Sequence, residues 1–480
     1  MHLLKNRLLN RTEPDWAALL QQQGVGLHDP LQGFKAAPVS LTPWQLSRQQ
    51  WQQAQQAAHT LGVLLEKIAE DRRWLLAETA ALATSDSIPG EIWRALTALG
   101  ANQSTTRQVA LTRHDLMLDQ HDNWRWVESN PIAAGMGPLN QRWQQLFQLQ
   151  QPAMLLAANP AIETQATLLA QAAIRQARLL ETDRDFGFND NGNNPDAPLL
   201  VMVVEAQEDN IYDQQLLAEA IAQQQVTVLR LTIDQLQQCQ IDAKHQLRLP
   251  DGRIVHLLYW RTGYNPRDQV DNSQADDSQL AFRARLEQVQ IAQCPTLSAQ
   301  LTGSKWLQHR LSQLLLDPKQ SQQLAVHFGL DNTELQVLQS LCLPSFTVSE
   351  LTDLQFHALV AQGYWYKKQN EGGGNVARFA QALLWYQQRD SADILMAPIA
   401  ANIRTEPLRK HLHGEVVMQQ GHISELGIFT LGANAEDGGY LCRTKAELSL
   451  EGGVHRGGAV LDLVAITPGF STKPVFVLQR

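Results

Sequence analysis

The segment Lys367-Lys368-Gln369-Asn370-Glu371-Gly372-Gly373-Gly374-Asn375 sets three adjacent glycines behind a lysine pair and a glutamate. Without Cβ atoms, the amides of Gly372, Gly373 and Gly374 can lie against the oxygens of a bulky anion. Lys367 and Lys368 supply cationic heads, and the Glu371 carboxylate suits a Mg2+ that phosphates share. A second glycine-rich stretch runs Arg443-Thr444-Lys445-Ala446-Glu447 and then Glu451-Gly452-Gly453-Val454-His455-Arg456-Gly457-Gly458. An anion cradle, cations and a metal-seeking carboxylate together point to nucleotide chemistry. For either segment alone, a surface loop and a hairpin turn are the plainer alternative.

A length of 480 residues corresponds to about three domains. Hydrophobic residues at 44% and charged ones at 18% describe a globular protein, and the net charge of −9 argues against a nucleic-acid partner. No apolar stretch approaches the roughly 20 residues of a membrane helix, so no membrane partner is expected. The start, Met1-His2-Leu3-Leu4-Lys5-Asn6-Arg7, has no long apolar core, and no secretory signal is expected. Cys239, Cys294, Cys342 and Cys442 form no Cys-x-x-Cys pair, which implies neither a zinc site nor a disulfide framework. They read as buried thiols in a reducing cytoplasm.

Outward from the glycine loop, the pattern divides the chain into 1–197, 198–300 and 301–480. The first part reads as mostly helical: Leu46 to Arg73 and Pro138 to Leu180 repeat apolar residues every three or four positions. Its glutamines suggest low complexity, but Trp44, Trp51, Leu61, Leu65 and Ile68 give the helices a face to bury. Val109–Leu111 and Trp124–Val127 read as strands around a turn at Gln120–Asn123. A linker follows at Asp183–Ala197. Strands at Leu199–Glu205, Val226–Thr232 and Ile254–Trp260 then alternate with helices at Tyr212–Gln225 and Ser278–Ile291, as in a parallel α/β domain. Its crevice is expected beyond the carboxyl ends of the strands, at 207–214 and 261–264. Further strands are expected at Asp393–Met396, His422–Thr430 and Val460–Ile466.

Several segments then fall into one order. They are Arg113-His114-Asp115-Leu116-Met117, Glu128-Ser129-Asn130-Pro131-Ile132, Glu208-Asp209-Asn210-Ile211-Tyr212-Asp213-Gln214, Trp260-Arg261-Thr262-Gly263-Tyr264 and Cys294-Pro295. Leu301-Thr302-Gly303-Ser304-Lys305, the Glu371–Asn375 loop, Ile394-Leu395-Met396, Ile423–Phe429 and Arg443–Ala446 complete the series. Over about three quarters of the chain this order resembles the eukaryotic-type glutathione synthetases. The resemblance implies an α/β (α+β) protein: an ATP-grasp fold, an inserted Rossmann-like parallel α/β substrate-binding domain, and a helical N-terminal part. It also implies a cytoplasmic homodimer that uses ATP and Mg2+ to join γ-glutamylcysteine to glycine through an acyl phosphate.

Carried onto this chain, the resemblance gives Glu128, Asn130 and Glu371 as metal ligands, all oxygen donors of the kind Mg2+ prefers. Lys305 and Lys367 are implied to bind phosphates, together with Gly372, Gly373, Gly374 and Asn375. Met396 and Ile399 would line the adenine slot, Glu425 would take a ribose hydroxyl, and Lys445 and Glu451 would approach the nucleotide. Arg113 and Arg261 would clamp donor carboxylates, since a planar guanidinium grips them through two bonds. Glu208, Asn210, Gln214 and Tyr264 would hold the γ-glutamyl end. Arg443 would take the glycine carboxylate, beside Val454 and His455 in a lid over 447–458. Arg113, Lys305, Lys367 and Arg443 are the implied catalytic set.

The chain departs from the family in four places. Ala133-Ala134-Gly135-Met136 stands where a serine-containing segment is usual, and Ala397-Pro398 where a Glu-Lys pair is usual. His455-Arg456 replaces small lid residues. Lys368 replaces a proline and Arg378 an aromatic, and with Arg456 they would restore lost charge near the nucleotide. A ligase with another donor or amine, and a non-catalytic nucleotide binder, are the alternative functions.

Overall fold

The computed structural model describes residues 14–100, 106–180, 197–264, 279–371, 374–412, 414–447, 449, 452–454 and 457–467. Helix Arg48–Glu70 begins at a capping box, in which Ser47 and Gln50 each bond the other's backbone amide. Gln52, Gln53 and Gln56 face solvent, while Ala54, Ala57, Leu61, Leu64, Leu65 and Ile68 form a buried stripe. The glutamine-rich run is therefore a packed helix.

That stripe packs on an eight-stranded sheet. Its order is Glu415–Gln419, Leu408–Leu412, Val39–Ser40, Val460–Asp462, Glu436–Ala446, His422–Leu431, Leu111–Leu118 and Trp124–Asn130. All neighbours are antiparallel except Val39–Ser40 with Val460–Asp462. Strand side chains alternate between faces. Leu116, Leu118, Leu426, Ile428, Tyr440 and Cys442 join the core under helix Arg48–Glu70. Leu111, Phe429, Leu431 and Leu441 join the core under helices Gly137–Gln150 and Ala161–Leu180. Followed along the strands, this second face continues into Arg113, Asp115, Glu425, Gly427, Arg443 and Lys445. One face is thus oily at one end and charged at the other.

A second sheet is wholly parallel, in the order Arg107–Gln108, Ala292–Cys294, Leu257–Trp260, Leu199–Val203, Thr227–Leu231. Leu199–Val203 and Leu257–Trp260 are neighbours, so their following loops open the crevice expected at 207–214 and 261–264. A third, antiparallel sheet runs Ser345–Thr347, Ile394–Met396, Trp365–Lys367, Val376–Ala377 over a core of Val348, Phe356, Tyr366 and Leu395.

Some elements differ from expectation. The strands expected at 109–111 and 124–127 are Leu111–Leu118 and Trp124–Asn130. Their cleft-facing charges interrupt the apolar pattern that would have marked their length. The N-terminal part, expected as mostly helical, also carries strands Gly26–Asp29, Gly33–Ala36 and Trp44–Ser47. The helix expected over 278–291 is Gln279–Leu286, and the chain then enters the short strand Ala292–Cys294. The linker expected from Asp183 lies, through residue 196, outside the described residues. All four cysteines are free and buried. Among the described residues no helix is long and apolar enough to cross a membrane.

Candidate active site

The charged end of the large sheet, the third sheet and the carboxyl edge of the parallel sheet enclose a cleft of about 1740 Å3. Strand register builds its floor. Arg113 lies opposite Asn130, Asp115 opposite Glu128, Glu425 opposite Arg443, and Gly427 opposite Asp115. Asp115 is fully buried and accepts from Arg113 Nε at 2.7 Å and Nη2 at 2.9 Å, from Arg443 Nη2 at 3.0 Å and from Asn130 Nδ2 at 3.1 Å. Burial opposes its ionisation, but the Arg113 and Arg443 charges outweigh burial and hold the carboxyl below its ordinary range. Arg443 also donates to Glu425. A Cβ on Gly427 would come within 2.4 Å of Asp115 Oδ1 and 2.6 Å of Arg113 Cδ, so the pair needs a glycine there.

Glu128 follows on the neighbouring strand, and Asn130 Nδ2 lies 3.3 Å from its Oε1. Across the cleft Lys305 donates to Glu371 Oε1 at 2.7 Å and to the Asn370 carbonyl at 3.0 Å. Lys367 reaches over to the Val127 carbonyl at 3.3 Å, next to Glu128 in sequence. Burial raises the Glu371 carboxyl; Lys305 opposes that rise and the Glu128 charge adds to it. Burial lowers the Lys367 ammonium, partly offset by Glu128 and Glu371. Two carboxylates and two ammonium groups from distant parts of the chain therefore act on one another across one cleft.

Three helices begin at the cleft: Gly137–Gln150 after Met136, Ile211–Ala222 after Asn210, and Lys305–Leu316 after Ser304. Their free amides and dipoles favour anionic ligands. At the end of the cleft beside the parallel sheet Arg261 is almost wholly buried; its two Nη atoms each lie 3.3 Å from Asp213 Oδ2. A Cβ on Gly135 would come within 2.2 Å of Arg261 Nη2, so the Ala133–Met136 turn can pass this close only as glycine.

The cleft brings together Arg113, Glu128, Asn130, Lys305, Lys367, Glu371, Gly374 and Asn375, which the sequence singled out. Glu208, Asn210, Arg261, Tyr264, Met396, Ile399, Glu425, Arg443, Lys445 and Val454 line it as well. Gly372, Gly373, Glu451 and His455 lie outside the described residues. Gln214 sits behind the wall, because both ends of its amide are taken, by Glu208 and Arg230. Lys368 turns to the Trp385 ring, 4.4 Å from its centroid, whereas Arg378 lines the cleft between the Trp365 and Phe379 rings. Asp115, Asp213 and Arg230 were not singled out. Asp115 stands two along from Arg113 on strand Leu111–Leu118 and so shares its face, a signal open only to a reading that carries the strand past Leu111.

Residues 19–466 match the family model described as the ATP-binding domain of eukaryotic glutathione synthase. The chain belongs to the eukaryotic glutathione synthase family. The chloroplastic glutathione synthetase of Solanum lycopersicum is 28% identical, over 89% of this chain and 77% of that protein. The Xenopus laevis glutathione synthetase is 25% identical over 89% of both chains. The human one is 30% identical over 55% of this chain and 56% of its own. The apo structure of GSS30, a glutathione synthetase-like effector from Globodera pallida, superposes with a TM-score of 0.65 at 13% identity, covering 94% of this chain and 95% of that one. At that identity it supports the fold alone. In this glutathione synthase family member the third sheet and the large sheet both meet the cleft, through Lys367 and Arg443.

Proposed function

We propose that this cleft joins γ-glutamylcysteine to glycine with ATP, releasing ADP and phosphate. The observation that carries the reading is that Glu128 and Glu371, about 240 positions apart in sequence, line one cleft with Lys305 and Lys367. That donor set fits Mg2+: the two carboxylates, with Asn130 adjacent to Glu128, all offer hard oxygen ligands. When bound, the ion neutralises charge on the terminal phosphates. Lys305 and Lys367 hold the γ-phosphoryl group, and Arg113 turns the donor carboxylate toward it. A donor oxygen attacks phosphorus and ADP leaves, giving an acyl phosphate. Arg443 holds the glycine carboxylate so that the amine attacks the acyl carbon; phosphate leaves and the amine loses a proton. Lys445 approaches Gly452, where an added Cβ would lie 3.9 Å from Nζ, and Gly452, Gly453 and Val454, which line the cleft, help to keep water from the intermediate.

In this reading Met396 and Ile399 take the adenine, and residues 198–300 form the donor-binding part. Glu425, paired with Arg443, serves the acceptor side as well as the ribose. The protein works in the cytoplasm as a homodimer, and its four free thiols suit a reducing compartment.

ADP release across a panel of γ-glutamyl dipeptides and amines tests the reading. Glycine with γ-glutamylcysteine should give the highest rate, and absence of stimulation by glycine would defeat it. The panel also reports any other amine or donor that the Ala133–Met136 turn admits. Arg378→Ala should raise the ATP KM about fivefold, the equivalent of about 1 kcal/mol at a stacked cation. Lys368→Ala, altering a residue that packs on Trp385, should leave it unchanged. An ATP KM unaffected by Arg378→Ala would remove Arg378 from nucleotide binding.

A further inference from the structure

In the third sheet Met396 stands opposite Trp365 and Val376 opposite Lys367, which carries Arg378, just past strand Val376–Ala377, to the level of Trp365. Met396, Trp365 and Arg378 thus form one row across the sheet, two residues along from Lys367 and so roughly 7 Å from it. All three line the cleft. The Arg378 guanidinium lies between the rings of Trp365 and Phe379, 4.8 Å from each centroid, and its Nε is buried without a partner. Among the described residues it meets rings and no carboxylate. Phe379 has a φ of +46°, a left-handed backbone that a bulky side chain rarely adopts, yet its ring is 53% exposed and lines the cleft. Such strain collects at ligand clamps, and a flat ring open to the slot suits the face of a nucleobase. The adjoining stretch 396–399 is poor in donors: the Pro344 carbonyl takes the Ala397 amide at 2.9 Å, and Pro398 has no amide hydrogen. Among the described residues the Ala397 and Pro398 carbonyls accept no bond.

Purines differ in what their edges require. Adenine carries an amine at C6 beside a bare N1, and so needs an acceptor and a donor there. Hypoxanthine and guanine carry O6 beside N7, two acceptors that a guanidinium fork meets together, and an N1–H that needs an acceptor. Arg378 supplies the fork, and residues 397 and 398 supply carbonyls where donors are scarce. We propose that Arg378 reads the O6–N7 edge of the base, so that the cleft takes 6-oxopurine nucleoside triphosphates, those of inosine and guanosine, at least as well as ATP. ATP is bound through N7 and the stack. Phe379 packs on the face of either base and does not discriminate. This rests on a nucleoside triphosphate phosphorylating the donor acid, as proposed above, and adds which bases the slot takes.

The test measures kcat/KM with ATP and with inosine triphosphate, at saturating γ-glutamylcysteine and glycine, in wild type, Arg378→Ala and Arg378→Lys. In wild type the inosine nucleotide should equal or exceed ATP. Arg378→Ala should lower the ATP value about fivefold and the inosine value about 50-fold, the loss of one contact against a two-bond fork, so the ratio falls about tenfold. Arg378→Lys keeps the charge without the fork; it should hold ATP within about twofold and lose most of the inosine rate. Phe379→Gly relieves the left-handed backbone and should raise Tm while raising both nucleotide KM values by one factor. A wild type that uses the inosine nucleotide more than about threefold less well than ATP would overturn the proposal. So would an Arg378→Ala variant that loses both nucleotides equally, because a merely structural arginine leaves the ratio unmoved. A wild type that releases no diphosphate from either nucleotide would instead defeat the function reading on which the proposal rests.

Discussion

Glu371→Gln should lower kcat about a thousandfold, because the several kcal/mol that a metal contributes at the transferring phosphoryl group depend on its ligands. The substitution is mild in shape. The glutamine oxygen can still accept from Lys305, whose ammonium also bonds the Asn370 carbonyl, so the fold should survive. What is lost is the negative charge that faces Glu128 across the cleft. Raising Mg2+ should recover part of the rate in Glu128→Gln, where Glu371 still anchors the ion, and less in the double variant. Steady-state rates against Mg2+ concentration, with a melting curve for each protein, check this. A Glu371→Gln enzyme within about tenfold of wild type at ordinary Mg2+ would show that no essential ion sits there.

The second large effect is at Asp115. Its carboxylate lies between Arg113 and Arg443, the groups assigned to the donor and acceptor carboxylates, and sets how far apart they stand. Asp115→Ala leaves two largely buried guanidinium groups short of a partner, and among the described residues Arg443 keeps Glu425. Breaking a buried pair in this way destabilises by about 3–5 kcal/mol. Misplaced clamps should reduce kcat/KM by a further factor of about a hundred. Asp115→Asn keeps the volume and part of the bonding and should lose less of both. Thermal melting and substrate KM values separate the two effects. A well-folded Asp115→Ala with unchanged KM for both γ-glutamylcysteine and glycine would contradict the role.

These two residues also show what the sequence could and could not reveal. The parallel α/β unit was legible because its strands are short, nearly unbroken apolar runs, and its crevice followed from strand adjacency. Lys367, Glu371, Gly374 and Asn375 line the cleft as the glycine-rich run suggested, whereas Lys368 packs on Trp385. Strand Leu111–Leu118 was harder to see, since Arg113, His114 and Asp115 look like a solvated loop until the sheet buries them. Arg230 was not legible as a cleft residue: it lines the cleft because its edge strand pairs with Leu199–Val203 and its guanidinium bonds Gln214. Gln214 was misleading for the converse reason. A polar residue in a substrate-like motif looks like a contact, but its bonding capacity is used within the wall. Pairwise side-chain bonds over long sequence separations leave little trace in a single chain's pattern.

Everything in the mechanism depends on the donor carboxylate attacking the γ-phosphorus in this cleft. The direct test is to run the reaction with γ-glutamylcysteine carrying 18O in its cysteinyl carboxylate and to analyse the released phosphate by mass spectrometry. An acyl phosphate requires that one donor oxygen leave with the phosphate, so each turnover should yield phosphate bearing one labelled oxygen. Phosphate free of label, formed in step with the ligated product, would mean that the acid is never phosphorylated and would overturn the account.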